Sequence, residues 1–207
     1  MSLYVIGTPI GNPDELSIRA KELITQLDVL ICESRKETSK LLRQMDIRPK
    51  EYEELSEHSR DGDFADLVEL CRDKSVGLVS DCGTPAFCDP GARLVKMCRK
   101  EGIEVRSVPG PSSLMAFLSV CGEELDEFYF KGFLSQKTEE RQRQINELRK
   151  TMRVPVVLMD TPYRMKKLLT DLKDHWSDAT LVIGCQLGFD DELVLKGSAV
   201  EILKGLP

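Results

Sequence analysis

The chain has 207 residues, 41% hydrophobic and 31% charged, a composition ordinary for a globular protein with one large domain or two small ones. Lysine and arginine number 29 against 35 acidic residues, and the net charge of −6 argues against a surface coated in positive charge for unspecific nucleic-acid binding. No uncharged stretch approaches a membrane span, and the strand-like start without a basic leading region predicts no signal peptide. Leu3–Ile6 reads as a buried strand, followed by a helix over Leu16–Gln26, a strand at Val29–Cys32 and a helix over Lys36–Met45. Phe64, Leu67, Val68 and Cys71 stand at i, i+3, i+4 and i+7, the stripe of an amphipathic helix. Val76–Val79 predicts a strand, Asp89-Pro90-Gly91 a helix start capped by Asp89, and Glu104–Val108 a further strand ahead of a helix carrying Leu114, Phe117, Leu118 and Cys121.

After Gly122 comes an acidic stretch, Glu123, Glu124, Asp126 and Glu127. Strands are then predicted at Phe128–Phe133, Val154–Met159, Ala179–Cys185 and Leu193–Lys196. Helices are predicted over Thr138–Met152, around Met165–Leu172 and over Ala199–Leu203. The alternation points to two α/β domains, 1–112 and 113–207. The seven cysteines include no CxxC pair and lie mostly in apolar runs, the pattern of reduced buried thiols rather than a disulfide framework or a zinc site. His58 and His175 are too few for a histidine-rich metal centre.

Three loops follow predicted strands: Gly7-Thr8-Pro9-Ile10-Gly11-Asn12, Asp81-Cys82-Gly83-Thr84-Pro85, and Pro109-Gly110-Pro111-Ser112-Ser113. Ligands of open α/β sheets gather at the carboxyl ends of strands, where glycine permits close backbone approach and Ser or Thr supplies hydrogen bonds. None of the three is a dinucleotide fingerprint or a P-loop.

Four segments in order, Leu3–Asn12, Val79–Leu94, Val108–Gly122 and Tyr129–Phe133, resemble the tetrapyrrole methylase superfamily of S-adenosylmethionine-dependent methyltransferases. The spelling around Asp81 and Pro109 is similar to its branch of 16S ribosomal RNA 2′-O-methyltransferases I. The resemblance implies two α/β domains with the cofactor S-adenosylmethionine in a cleft between them, a cytoplasmic homodimer, and no metal. It places the cofactor contacts at Pro9, Asp81, Gly83, Thr84, Ser112 and Ser113, and more loosely at Met159, Asp160, Thr161 and Leu187. For Met159 and Leu187 plain core packing is the competing reading.

Cys32–Leu42 resembles the family's acidic-arginine stretch, with Glu33, Thr38 and Lys40 matching, Lys36 for an arginine, and Ser34 and Ser39 for an acid and a second arginine. Lys36, Lys40 and Arg43 share a helical face that could touch phosphates or simply be solvated. Glu33, His58 and Lys36 are the candidate catalytic residues, and the base stays open among Glu33, Glu57 and His58. Gln186-Leu187-Gly188-Phe189 departs from the family spelling, and Tyr163-Arg164 stands where the family often has His-Arg. The expected activity is 2′-O-methylation of a cytidine in small-subunit ribosomal RNA. A small-molecule methyltransferase of the same fold, such as one acting on a tetrapyrrole, and an inactive S-adenosylmethionine-binding protein are the alternatives.

Overall fold

The computed structural model describes residues 1–206. These fall into two compact units: Met1–Ala116 with Leu187–Asp190, and Phe117–Gln186 with the chain from Asp191 on.

The first unit is a parallel sheet built from β1 (Ser2–Ile6), β2 (Val29–Cys32), β3 (Tyr52–Glu54), β4 (Val76–Leu78) and β5 (Glu104–Val108), in the order β3-β2-β4-β1-β5. Helices α1 (Ile18–Gln26), α2 (Arg35–Gln44), α3 (Asp61–Asp73) and α4 (Gly91–Lys100) connect the strands. Side chains alternate across a strand, so a sheet covered on both faces reads as an unbroken apolar run. Val29-Leu30-Ile31-Cys32 is such a run. Val29 and Ile31 pack with Phe64, Leu67, Cys71, Leu94 and Cys98 of α3 and α4, whereas Leu30 and Cys32 pack with Ala20, Ile24 and Leu42 of α1 and α2.

Several sequence expectations shift locally. The stretch before α1 is a 3-10 turn over Pro13–Glu15, and Ser17 then caps α1, because its hydroxyl takes the Ala20 N–H. Asp89 is not the cap of α4; Pro90 holds that position, while the Asp89 carboxylate accepts from the Ala86 and Gly91 N–H groups. Ser34 caps α2 through the Glu37 N–H, so an uncharged side chain suits that position locally. β3 has no counterpart in the sequence expectation. Its Tyr52-Glu53-Glu54 spelling is polar because it is an edge strand.

In the second unit β6 (Tyr129–Phe133) pairs in parallel with β7 (Val156–Met159), and β8 (Leu181–Cys185) forms an antiparallel hairpin with β9 (Leu193–Gly197). Helix α5 (Ser113–Val120) contains the division between the units, and α6 (Thr138–Thr151), α7 (Pro162–His175) and α8 (Ala199–Gly205) complete the chain. Leu134, Ile145, Leu148, Leu168, Leu169, Leu172 and Ile202 form this unit's core. Within it Arg141 of α6 meets Asp171 of α7 at 2.6–2.7 Å, and both side chains are buried. Arg141 also donates to the Ser135 and Gln136 carbonyls, and Gln142 donates to the other Asp171 oxygen. All seven cysteines are free thiols, and Cys32, Cys71, Cys98 and Cys121 are buried. Among the described residues no helix is long and apolar enough to cross a membrane.

Candidate active site

β1 lies between β4 and β5, with Val5 opposite Leu78 and Ile6 opposite Val108. Their carboxyl ends therefore coincide, and the three loops that leave them are tied together by hydrogen bonds. Gly7 N–H donates to the Val108 carbonyl at 3.1 Å. The buried Thr8 donates from its amide to the Gly83 carbonyl and from its hydroxyl towards the Ser80 and Gly83 carbonyls. Thr84 Oγ1 donates to the Pro111 carbonyl at 2.9 Å. Thr84, expected as a cofactor contact, thus holds the second loop to the third.

Two backbone approaches require glycine. A Cβ on Gly110 would lie 2.6 Å from the Gly7 oxygen, and one on Gly7 would lie 2.7 Å from the Gly110 Cα. A Cβ on Gly11 would lie 2.4 Å from the Gly188 carbonyl carbon. The second approach seats Leu187–Asp190 on the first loop, a pairing across more than 170 residues that carries no sequence signal. Gly188 adopts a left-handed φ of 81° there.

Beside these loops carboxylates crowd together. The Glu33 carboxyl is held above its ordinary range, first by partial desolvation and then by the negative charges of Asp81, Asp89 and Glu57; the Asp81 backbone N–H opposes the shift. Asp81 is also raised, first by desolvation, against the Ser34 N–H, which donates to its Oδ1 at 3.2 Å. Of the candidate catalytic residues, Glu33 is the one the structure brings to Asp81. Lys36 is exposed on α2. His58 is exposed on the loop after β3, and its backbone N–H donates to Ser56 Oγ. Glu57 reaches the cluster electrostatically, and Asp89, expected only as a helix cap, joins it.

Pro9 is buried and its carbonyl faces the Gly83 N–H at 3.4 Å. Gly83 has a φ of 79°, and an added Cβ would meet nothing closer than 3.4 Å, so the demand for glycine there is conformational. Ser112 and Ser113 are half-buried at the start of α5, and the Ser112 carbonyl accepts the Ala116 N–H. Leu187 is half-buried on the docked loop, and Met159 is half-buried at the end of β7; neither belongs to a buried core. Asp160 pairs with Arg164 at 3.0 Å and accepts the Thr161 N–H, yet Asp160 Oδ2 and Thr161 Oγ1 are buried without a hydrogen-bond partner.

Buried polar atoms are nearly always paired, so Thr161 Oγ1 has hydrogen-bonding capacity left for a ligand. The donor and acceptor set of the three loops in the first unit fits S-adenosylmethionine. The carboxylate of Asp81 suits a cationic ligand, and the serine hydroxyls with the amides opening α5 suit a carboxylate. Among the described residues no group of histidine, cysteine and carboxylate side chains is placed to hold a metal ion.

The profile of the Tetrapyrrole (Corrin/Porphyrin) Methylases matches residues 2–203. A Leptospira biflexa protein named Ribosomal RNA small subunit methyltransferase I is 35% identical over 186 residues, which cover 89% of this chain and 77% of the relative. The crystal structure of a diphthine synthase superposes with a TM-score of 0.80 at 16% identity, covering 99% of this chain and 84% of that one. A uroporphyrin-III C-methyltransferase from Thermus thermophilus, solved with S-adenosyl homocysteine, gives 0.66 at 18% identity and covers 99% and 91%. At such identities the two structures speak for the fold. By its family match and its relatives, the chain belongs to the tetrapyrrole methylases and is an S-adenosylmethionine-dependent methyltransferase.

Proposed function

We propose that this methyltransferase modifies small-subunit ribosomal RNA at the 2′-hydroxyl of a cytidine. The single observation that carries the reading is the relatives named as small-subunit ribosomal RNA methyltransferases, of which the Leptospira biflexa protein is 35% identical. The chain's two domains run over 1–112 and 113–207, and the enzyme acts as a cytoplasmic homodimer.

Bound S-adenosylmethionine supplies a methyl group on a sulfonium centre, open to in-line displacement. Pro9, Asp81, Gly83, Thr84, Ser112 and Ser113 hold the cofactor, with Met159, Thr161 and Leu187. Asp81 orients its positive end, and Thr84 acts by fixing the loop that carries Gly83. Alignment of acceptor and methyl group contributes the larger share of rate, several kcal/mol of barrier. Glu33 accepts the proton of the attacking hydroxyl as the oxygen–carbon bond forms and the carbon–sulfur electron pair returns to sulfur. Its raised carboxyl is a better base than an ordinary glutamate. Lys36 and His58, both exposed, steady the acceptor RNA.

The deciding experiment is transfer of a tritiated methyl group to naked 16S RNA, to 30S subunits and to a precorrin-type tetrapyrrole in parallel. Label in RNA, reduced about 10²–10⁴-fold by Glu33→Ala, is the expected result. Label in the tetrapyrrole alone would replace the reading with a small-molecule methyltransferase. Tight S-adenosylmethionine binding with no transfer to any acceptor would make the chain a binding protein.

A further inference from the structure

A cavity of about 460 Å³ lies on the β3 edge of the first unit, lined by Arg35, Ser39, Arg43, Ile47, Arg48, Pro49 and Tyr52. Arg35, Ser39 and Arg43 stand at i, i+4 and i+8 and so share one face of α2, spanning about 12 Å along its axis. Arg48 comes from the following loop and Tyr52 from β3. Arg35 lies over the Tyr52 ring, 5.4 Å from its centre. Desolvation and Cys32 raise the Tyr52 hydroxyl, whereas Arg35 and Arg43 both lower it, so the two guanidiniums flank that side chain.

The cations here are poorly neutralised. Among the described residues no ion pair is formed by Arg35 or Arg43, and Arg48 approaches only the exposed Asp46, at 4.0 Å. Glu54 is nearby, and it accepts the Arg35 backbone N–H. A chain of net charge −6 therefore gathers three nearly unpaired guanidiniums and the hydroxyls of Ser39 and Tyr52 around one concavity. Guanidinium forks match phosphate oxygens, and an aromatic ring offers a stacking platform for a base.

We propose that this cavity binds successive phosphodiesters of a single RNA strand. A strand is favoured over a free anion because the cavity of about 460 Å³ far exceeds one phosphate and lines up several guanidiniums beside an aromatic ring, which suits neighbouring phosphodiesters and a base. The inference rests on the reading of the enzyme as an RNA methyltransferase. It revises the expected phosphate face, since the cavity keeps Arg43 but takes Arg35, Ser39 and Arg48 in place of Lys36 and Lys40. The cavity runs along α2 from Arg35, next to Ser34, whose N–H meets Asp81. An RNA held here would lie on the same helix that opens beside the candidate base.

The test compares the whole protein with Arg43→Gln/Arg48→Gln, and uses a fluorescein-labelled single-stranded RNA as probe over a series of salt concentrations. Each lost phosphate contact lowers the slope of log affinity on log salt by about 0.7 for a single strand, so a drop of roughly 1.4 is expected, with affinity at least about 10-fold weaker. S-adenosylmethionine binding, measured by calorimetry, should be unchanged. Equal affinity and slope in the two proteins, or no RNA binding by the parent, would overturn the proposal. Full competition by millimolar inorganic phosphate would also overturn it, leaving a free-anion site. RNA binding that depends on these arginines, without methyl transfer to any RNA, would retain the cavity and reject the proposed activity.

Discussion

Glu33 shows how the site differs from the surface around it. Its carboxyl is raised by desolvation and by three neighbouring carboxylates, so the folded protein disfavours its ionised form. Above the raised pKa the native state carries the full cost; below the ordinary glutamate value the cost is absent. Glu33→Gln should accordingly stabilise the protein near neutral pH by a few tenths of a kcal/mol, limited by solvent screening, and the gain should fade as pH drops through the raised value. Urea unfolding of both proteins at neutral and at mildly acid pH checks this; a pH-independent difference would contradict it. Gly110 makes the other residue-level case, because a methyl group there would meet the Gly7 backbone at 2.6–2.9 Å. Gly110→Ala should cost about 1–3 kcal/mol and weaken S-adenosylmethionine binding. Gly62 is the control: nothing lies within 4 Å of its Cβ position in α3, so Gly62→Ala should be neutral or stabilising by thermal melting. The close approach of Gly7 to Gly110 could not be read from spelling. Glycine in a strand-end loop is equally consistent with a plain turn.

At the scale of elements, periodicity was a good guide wherever a helix had one apolar face. Phe64, Leu67, Val68 and Cys71 of α3 are all buried as their spacing predicts. The polar strand β3 escaped it, whereas the charged helix α6 is predicted over Thr138–Met152. β3 has one partly buried tyrosine and two glutamates, and only its hydrogen-bonded neighbour β2 makes it a strand. Helix α6 is richly charged, and one of those charges, Arg141, is buried against Asp171 of α7 instead of facing water. Removing one partner leaves the other uncompensated, so Arg141→Ala should destabilise by about 3–5 kcal/mol. Replacing both, by Arg141→Met with Asp171→Leu, should recover most of that loss. Denaturant titration of the three proteins decides; a mild single variant would show that water replaces the guanidinium.

For the whole molecule, the acidic balance and the proposed RNA substrate are reconciled by position rather than by total charge. Three arginines, Arg35, Arg43 and Arg48, line one cavity, while carboxylates crowd the candidate base. Salt should therefore act on RNA binding through few contacts. The proposed homodimer has its own measurement: sedimentation equilibrium at micromolar protein should give about twice the 23.4 kDa chain mass, and a single-chain mass would reject it.

The sequence by itself determined the alternation of strands and helices in the first unit, the three loops after β1, β4 and β5, and the family resemblance. Each depends on short-range periodicity or on a contiguous motif, and neither needs a distant partner. Tertiary structure alone decided which distant residues meet. It set Leu187–Asp190 against Gly11, brought Asp89 and Glu57 to Glu33, turned Thr84 onto the Pro111 carbonyl, and assembled the arginine cavity from α2, a loop and β3. Desolvation and Coulomb interaction depend on distance through space, and the sheet order β3-β2-β4-β1-β5 fixes those distances independently of separation along the chain.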